Sequence, residues 1–488
     1  VLLLSSRAKV AIRTVGLVTS AATLVLSVLI AMRFNPRIGG MEAFDAFRVD
    51  KPWIPRFGIR YLLGIDGLSL ALILLTTLLT LCVLLVSSGQ KIERWKGYVA
   101  SFLILETGML GSLVALDCIL FYVFWELMLV PMYVIIGVWG GKRRIYAAMK
   151  FFLFTFVGSL LMFLAILYVA GVHAKATGIQ TFSVLEWTRA SLSGGWSLSP
   201  SVEALLFGAF ALAFLVKVPL WPLHTWLPDA HVEAPTGGSI ILAGVMLKLG
   251  TYGLLRFAIP LFPNASSRFT PLIAILALIG VVYGAWVAAV QKDMKKLVAY
   301  SSVSHLALVV LGLFAGNAMA VSGAIFQMIG HGLTTGLLFL LVGVLYERRH
   351  TREMADYGGI ATQVPITTAL FLVATFGSIG LPGLNGFIGE FLILGGVFKV
   401  NVIWCAVAAT GMILGAIYLL TLIQKTFWGP MTVDANRGLT DMNGWELAGA
   451  LPLVALIVIL GVYPAPLLRM VETSVSYVVQ IAHLRMLP

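Results

Sequence analysis

Long apolar runs separated by short polar breaks set the pattern of this chain. Taking about 20 apolar residues as one bilayer crossing, the pattern predicts thirteen membrane-spanning helices. They lie near 12 to 32, 62 to 86, 98 to 116, 118 to 139, 146 to 171, 203 to 228, 237 to 260, 271 to 290, 297 to 315, 320 to 346, 364 to 398, 402 to 428 and 446 to 466. The longest breaks, Arg33 to Arg60 and Val172 to Val202, are too short for an independent core, and GGMEAF and SLSGGWSLSP mark them as surface connections. The expected fold class is an all-α polytopic membrane protein with no extramembrane domain.

One apolar stretch, Ala204 to Leu249, breaks its own pattern with Lys217, His224 and Lys248 and with Pro219, Pro222, Pro228 and Pro235. A lysine at the centre of a membrane helix costs about 2.5 to 3.5 kcal/mol on insertion scales, and each proline removes a backbone donor. The combination points to a hydrated cavity inside a helical bundle, lined by broken helices, where ions or protons move. The eleventh run carries a counterpart, GSIGLPGLNGFIGEF, five spans later. An odd offset turns the second copy upside down, so two inverted repeats are expected. The resulting division is 1–97 (N-terminal spans), 98–262 (first repeat), 263–428 (second repeat) and 429–488 (a last span and tail).

Composition confirms the class: 60% of the 488 residues are hydrophobic and 11% charged, with a mean hydropathy of +0.98. The net charge of +12 reflects topology rather than nucleic acid, because Lys and Arg cluster in short breaks without an aromatic-basic patch. Lys91, Arg94 and Lys96, then Lys142 to Arg144, then Lys292, Lys295 and Lys296, then Arg348, Arg349 and Arg352 all fall on one side, the expected cytoplasmic one. The N-terminus is then inside and the C-terminus outside. The first loop, with Arg33, Arg37, Arg48, Lys51, Arg56 and Arg60, runs against this rule while also carrying Glu42, Asp45 and Asp50. Arg7, Lys9 and Arg13 lead into a full-length apolar run without a cleavage site, so the first span is expected to stay in the membrane. Cys82, Cys118 and Cys405 show no paired spacing, and no disulfide, iron-sulfur or zinc site is expected.

The intramembrane charges carry the chemistry. Glu126 sits in LFYVFWELMLVPMYVII, and Lys217 is the cation best placed to answer it. The charged form of each depends on the other, so a pair whose spacing changes is a proton switch. Lys248, in AGVMLKLGTYG, can receive that proton; the bland alternative is a lysine snorkelling from a helix end, with Arg256 two turns on. His224 follows Lys217 by seven residues, but the intervening prolines spoil a shared face. His305 and His331 lie in later spans and titrate near neutrality, although lone histidines there also serve as structural residues. Glu390, beside the Gly-rich break, closes the series. Asp117 lies at a span junction, Glu106 has no evident partner, and Asp229, His231 and Glu233 form a loop cluster without enough ligands for a metal. No glycine motif follows a strand, so no site for NAD, flavin or haem is expected.

FYVFWELMLVPMYVIIGVWG, KVPLWPLHTWLPDAHVEAPTGGSIILAGVMLKLGTYGLLRF, DMKKLVAYSSVSHL and GLPGLNGFIGEFLIL resemble the antiporter-like membrane subunits of respiratory complex I, along nearly the whole chain. The LPDAHVEAPTGGS block is shared with a wider family that includes Mrp-type cation/proton antiporter and membrane-bound hydrogenase subunits. The resemblance implies fourteen helices, two inverted five-helix repeats with broken helices, and a polar line across the membrane midplane. It assigns Glu126 and Lys217 to the charged pair, Lys248 to the connecting lysine, His305 and His331 to the second-half relay, and Glu390 to the outlet, where glutamate rather than lysine sets the chain apart from sister subunits and Mrp-type relatives. The family's first helix has no counterpart before Val1, implying a shortened start. The implied function is redox-driven proton translocation in an NADH:quinone oxidoreductase of the bacterial inner membrane, through a proton-inlet half at 98–262 and a proton-outlet half at 263–428. The chain itself would hold no redox centre. NADH, FMN, iron-sulfur clusters and quinone would belong to partner subunits, and the partners would be other membrane-arm subunits, sister antiporter-like subunits and lipids. The alternatives are a cation/proton antiporter or hydrogenase subunit, and a passive scaffold, which so many intramembrane charges disfavour.

Overall fold

The computed structural model describes residues 1–194 and 198–483. Helix α1 (Lys9–Arg33) leads into a hairpin of β1 (Val49–Ile54) and β2 (Ile59–Leu63), then α2 (Gly67–Ser88) and α3 (Trp95–Val114). Next come α4 (Cys118–Leu127), α5 (Leu129–Trp139), α6 (Arg144–Thr177), α7 (Val184–Leu192), α8 (Pro200–Lys217), α9 (Trp226–Glu233) and α10 (Thr236–Leu261). The rest comprises α11 (Pro263–Ala289), α12 (Met294–Phe314), α13 (Ala318–Arg349), α14 (Pro365–Ile379), α15 (Asn385–Val400), α16 (Val402–Thr426), α17 (Gly444–Val462) and α18 (Ala465–His483).

Among the described residues, 12 spans are long and apolar enough to cross a membrane, with α4 and α5 running as one. The sequence predicts thirteen. The difference is the run 364 to 398, which divides into α14 and α15, of 15 and 16 residues. Gly380, at φ +83°, ends α14 in the left-handed conformation that glycine tolerates, and Pro382 follows it. Both connections read as plain loops hold structure. Lys51 faces Tyr61 across the hairpin, and Arg60 Nε donates to Asp50 Oδ1 at 2.8 Å. The prolines at 52 and 55 hide these strands from a sequence reading. The expected tail forms α18, whose Ser474 hydroxyl donates to Asp66 Oδ2 at 3.0 Å.

Helix starts follow local chemistry. Asp66 caps α2 reciprocally with Ser69, and Asp117 accepts from the amides of Ile119 and Leu120 at 2.9 and 3.1 Å to start α4. Asp293 caps α12 in the same way and pairs with Arg352 at 3.2 Å. The four basic breaks meet on one side: Lys91, Arg144, Lys295 and Arg352 line a single cavity of about 340 Å³.

Enclosure sorts the spans. The apolar windows of α10 and α13 are 100% buried by protein and that of α12 is 94% buried, against 17% for α1 and 33% for α17. Three of the expected site residues, Lys248, His305 and His331, sit on those enclosed helices. Lipid therefore never meets their polar groups, which is the condition under which a membrane protein keeps such residues.

Candidate functional site: a buried polar series

Helix α8 ends at Lys217, two residues before Pro219. The carbonyls freed by the break are answered locally, since Trp226 Nε1 donates to the Val216 carbonyl at 2.9 Å. Lys217 is fully buried, and its Nζ has no hydrogen-bond partner among the described residues. The ammonium lies over the rings of Trp125 and Phe151, 5.0 and 5.7 Å from their centroids. Glu126, next to that tryptophan, is within electrostatic reach of Lys217 but forms no ion pair with it. The hydroxyls of Tyr122 and Ser159 lie beside its carboxylate, and its buried Oε1 lacks a hydrogen-bond partner. The two side chains are thus near each other without a direct contact.

Lys248 sits in a short α-helical stretch of α10 between two π-helical turns, Leu242–Met246 and Leu254–Ala258. The wider first turn leaves the Ala243 carbonyl to the lysine's own Nζ. The same Nζ lies 2.7 Å from Nδ1 of His331. Two glycines make that contact accessible: a Cβ on Gly332 would stand 2.8 Å from the Gly244 carbonyl oxygen, so α10 and α13 cross almost backbone to backbone there.

The series continues without a large gap. The rings of His331 and His305 are 5.7 Å apart between centroids, and His305 Nδ1 lies 3.3 Å from Glu390 Oε1. Tyr418 Oη stands 3.5 Å from His305 Nε2, and Gln327 Nε2 donates to Glu390 Oε1 at 3.3 Å. His331 Nε2, Glu390 Oε2, Gln327 Oε1 and Asn385 Oδ1 are buried without hydrogen-bond partners among the described residues. Groups that both give and take protons, set nose to tail in an enclosed interior, can pass a proton along. Four of the seven residues singled out from sequence, Lys248, His331, His305 and Glu390, therefore stand in one line.

The other three stand outside that line. Glu126 and Lys217 lie within electrostatic reach of each other, while His224 sits edge-on to Tyr283 and Tyr300, 5.2 and 6.4 Å away, with Nδ1 unpartnered among the described residues. Among the described residues no hydrogen bond or ion pair joins His224 to Lys217 or Lys248. The helices of the two lysines do abut, because a Cβ on Gly250 would lie 2.6 Å from the Phe214 carbonyl oxygen.

Sequence reasoning missed His231, which is not a loop residue. It is fully buried, stacks on Phe339 at 4.6 Å, leaves both ring nitrogens unpartnered, and lies within electrostatic reach of Lys248 and Lys295. Gln327 was also missed, although its place one turn before His331 was a usable signal.

Residues 115–415 match the family described as NADH:quinone oxidoreductase/Mrp antiporter, TM. The chain is 46% identical over 473 residues to NADH-quinone oxidoreductase subunit M of Rhodobacter capsulatus, covering 96% of this chain and 90% of that one. A chain of respiratory complex I from Thermus thermophilus with bound NADH superposes with a TM-score of 0.87 at 34% identity, over 96% of this chain and 95% of that one. A chain of the Mrp complex from Dietzia sp. DQ12-45-1b shares the fold, with a TM-score of 0.83 at 19% identity over 98% and 93% of the two chains.

Proposed function

This chain belongs to the subunit M family of NADH:quinone oxidoreductases, and from that premise we propose how its own residues move protons. Lys217 and Glu126 act as the switch. When they approach, the ammonium is held charged by the carboxylate; when they separate, Lys217 sheds its proton toward Lys248. Lys248 then hands a proton to His331 across their 2.7 Å contact. His331 passes it to His305, over a distance that one bridging water spans, and Glu390 takes it for release. The observation that carries this reading is the buried line from Lys248 through His331 and His305, on the most enclosed spans, to the buried Glu390.

In this reading 98–262 is the proton-inlet half and 263–428 the proton-outlet half of an inverted pair, and His224 serves the inlet side. The chain works as part of a translocase in the bacterial inner membrane, with its C-terminus on the outer face. Its partners are the other membrane-arm subunits, among them sister antiporter-like subunits, and lipids. NADH, FMN, iron-sulfur clusters and quinone act in partner subunits, whose electron transfer drives the change in spacing between Glu126 and Lys217. The test is Lys217→Ala, read as quinone-coupled proton uptake in closed vesicles: uptake falls while the complex still assembles. Uptake at the parental level removes the basis of the switch. An antiporter reading without a redox partner is separated from this one by purification in mild detergent, where flavin and iron-sulfur absorbance accompany the chain only in the first case.

A further inference from the structure

Glu106 stands outside the series described above. It lies in α3, is 3% exposed, and its Oε1 has no hydrogen-bond partner among the described residues. It lines a cavity of about 310 Å³ between α1, the hairpin and α3, together with the hydroxyl-bearing Thr19, Thr23, Tyr61 and Thr107. Glu106 is the one charged residue in that lining. The Thr23 and Thr107 hydroxyls donate to the carbonyls of Thr19 and Leu103, each at 2.9 Å, which leaves their oxygens free to accept. Tyr61, 40% exposed on β2, places a phenol at the hairpin end of the cavity. On the inner side Phe124 closes it, packed so tightly that a Cβ on Gly111 would be 2.3 Å from the ring. The cavity runs along α1, the least enclosed span of the bundle.

We propose that Glu106 is a protonation site loaded from the hairpin face of the membrane through this cavity, separate from the midplane series. An ionised carboxylate inside a membrane with no cation beside it is expensive, so the carboxyl needs a balancing positive charge, and the cavity brings a proton to it. Tyr61 and the threonine hydroxyls supply the polar lining through which that proton exchanges. The ring of Phe124, on α4, stands between the cavity and Glu126, two residues on along the same helix. The proposal does not rest on the transport path above, and its test requires no turnover.

The experiment uses the assembled complex in vesicles treated with dicyclohexylcarbodiimide. A protonated carboxyl adds its O–H across the reagent's C=N bond, and the adduct rearranges to a stable acylurea with nothing lost. Mass spectrometry of the α3 peptide reads the yield while pH is varied on the hairpin face and the opposite face is held neutral. The expected result is an adduct at Glu106 that decreases as the hairpin face is made alkaline, by up to about tenfold per pH unit, the limit for one proton. Glu106→Gln, which keeps the side chain's size, removes the adduct from an assembled complex. The proposal is overturned by an unlabelled Glu106 beside other labelled carboxyls, by a yield that follows the opposite face, or by protection with sodium at constant pH, which marks a metal-cation site instead.

Discussion

Replacing Glu390 separates what its carboxylate does for the fold from what it does for protons. The residue is 1% exposed, and Oε1 receives Gln327 Nε2 and stands beside His305 Nδ1, each at 3.3 Å. Glu390→Ala strips both contacts and leaves two buried polar groups unanswered, at about 1 to 3 kcal/mol each, or about 2 to 6 kcal/mol together. That is a large share of the marginal stability of a folded chain, so the amount of assembled complex falls. Glu390→Gln keeps the volume and an acceptor oxygen for both neighbours, and assembly is retained. It carries no exchangeable acid proton, however, so proton movement through this chain stops. Complex content is read on native gels, and proton uptake per NADH oxidised is read in closed vesicles. If Glu390→Gln pumps at the parental ratio, no proton resides on Glu390; if Glu390→Ala assembles like the parent, the two contacts are worth far less than reckoned.

Gly380→Ala attacks the same carboxylate from its neighbour. At φ +83° a side chain adds about 1 to 2 kcal/mol of backbone strain, and its Cβ would lie 2.4 Å from Glu390 Oε2, so proton uptake per NADH should drop even in the fraction that assembles. Arg348 grips Glu446 with two nitrogens, at 2.7 and 3.0 Å, and both side chains are largely buried. Arg348→Ala leaves that carboxylate without its cation, with the Asn443 amide at 2.9 Å still donating to it, at a cost of about 3 kcal/mol, the lower end for a broken buried pair, and should deplete the complex on native gels, with the double variant Arg348→Ala/Glu446→Gln partly restoring it. Asp441 lies between spans. Burial pushes its carboxyl up, but hydrogen bonds from the Thr367 hydroxyl and from the amides of Met442, Ile366 and Thr367 outweigh burial and hold it below the ordinary carboxylate range. Such a group contributes stability that is fully present above the unfolded value of about 3.9 and disappears as pH falls through the folded one. The melting temperature of the detergent-solubilised complex should therefore fall less on acidification below about pH 4 in Asp441→Asn than in the parent.

The charges themselves were legible because hydrocarbon makes each of them costly, and a sequence displays that cost at once: Lys217, Lys248, Glu126 and Glu390 interrupt apolar runs. Prolines likewise exposed the break after Lys217 and, with glycines, the break at Gly380. Adjacency was not legible. Lys248 and His331 are 83 positions apart, and only the crossing of α10 and α13 at Gly244 and Gly332 brings them together. The same blindness left the neighbours of His224 open and put His231 in a loop, because the prolines around the eight-residue helix α9 hide the periodicity from which to assign a face. It also concealed the hairpin, whose prolines and paired charges look like linker until Asp50 is seen against Arg60.

Lys248 is where the proposed path is narrowest. It is fully buried, and among the described residues its Nζ meets only the Ala243 carbonyl and His331 Nδ1 in hydrogen bonding. Methionine fills similar space without a proton to carry, so Lys248→Met tests transfer with little change in packing. The measurement is the ratio of protons taken up to NADH oxidised in sealed vesicles, at matched content of assembled complex. Transfer through Lys248 predicts a ratio below the parental value while quinone reduction continues; an unchanged ratio in an assembled Lys248→Met complex means that protons cross this chain by another route.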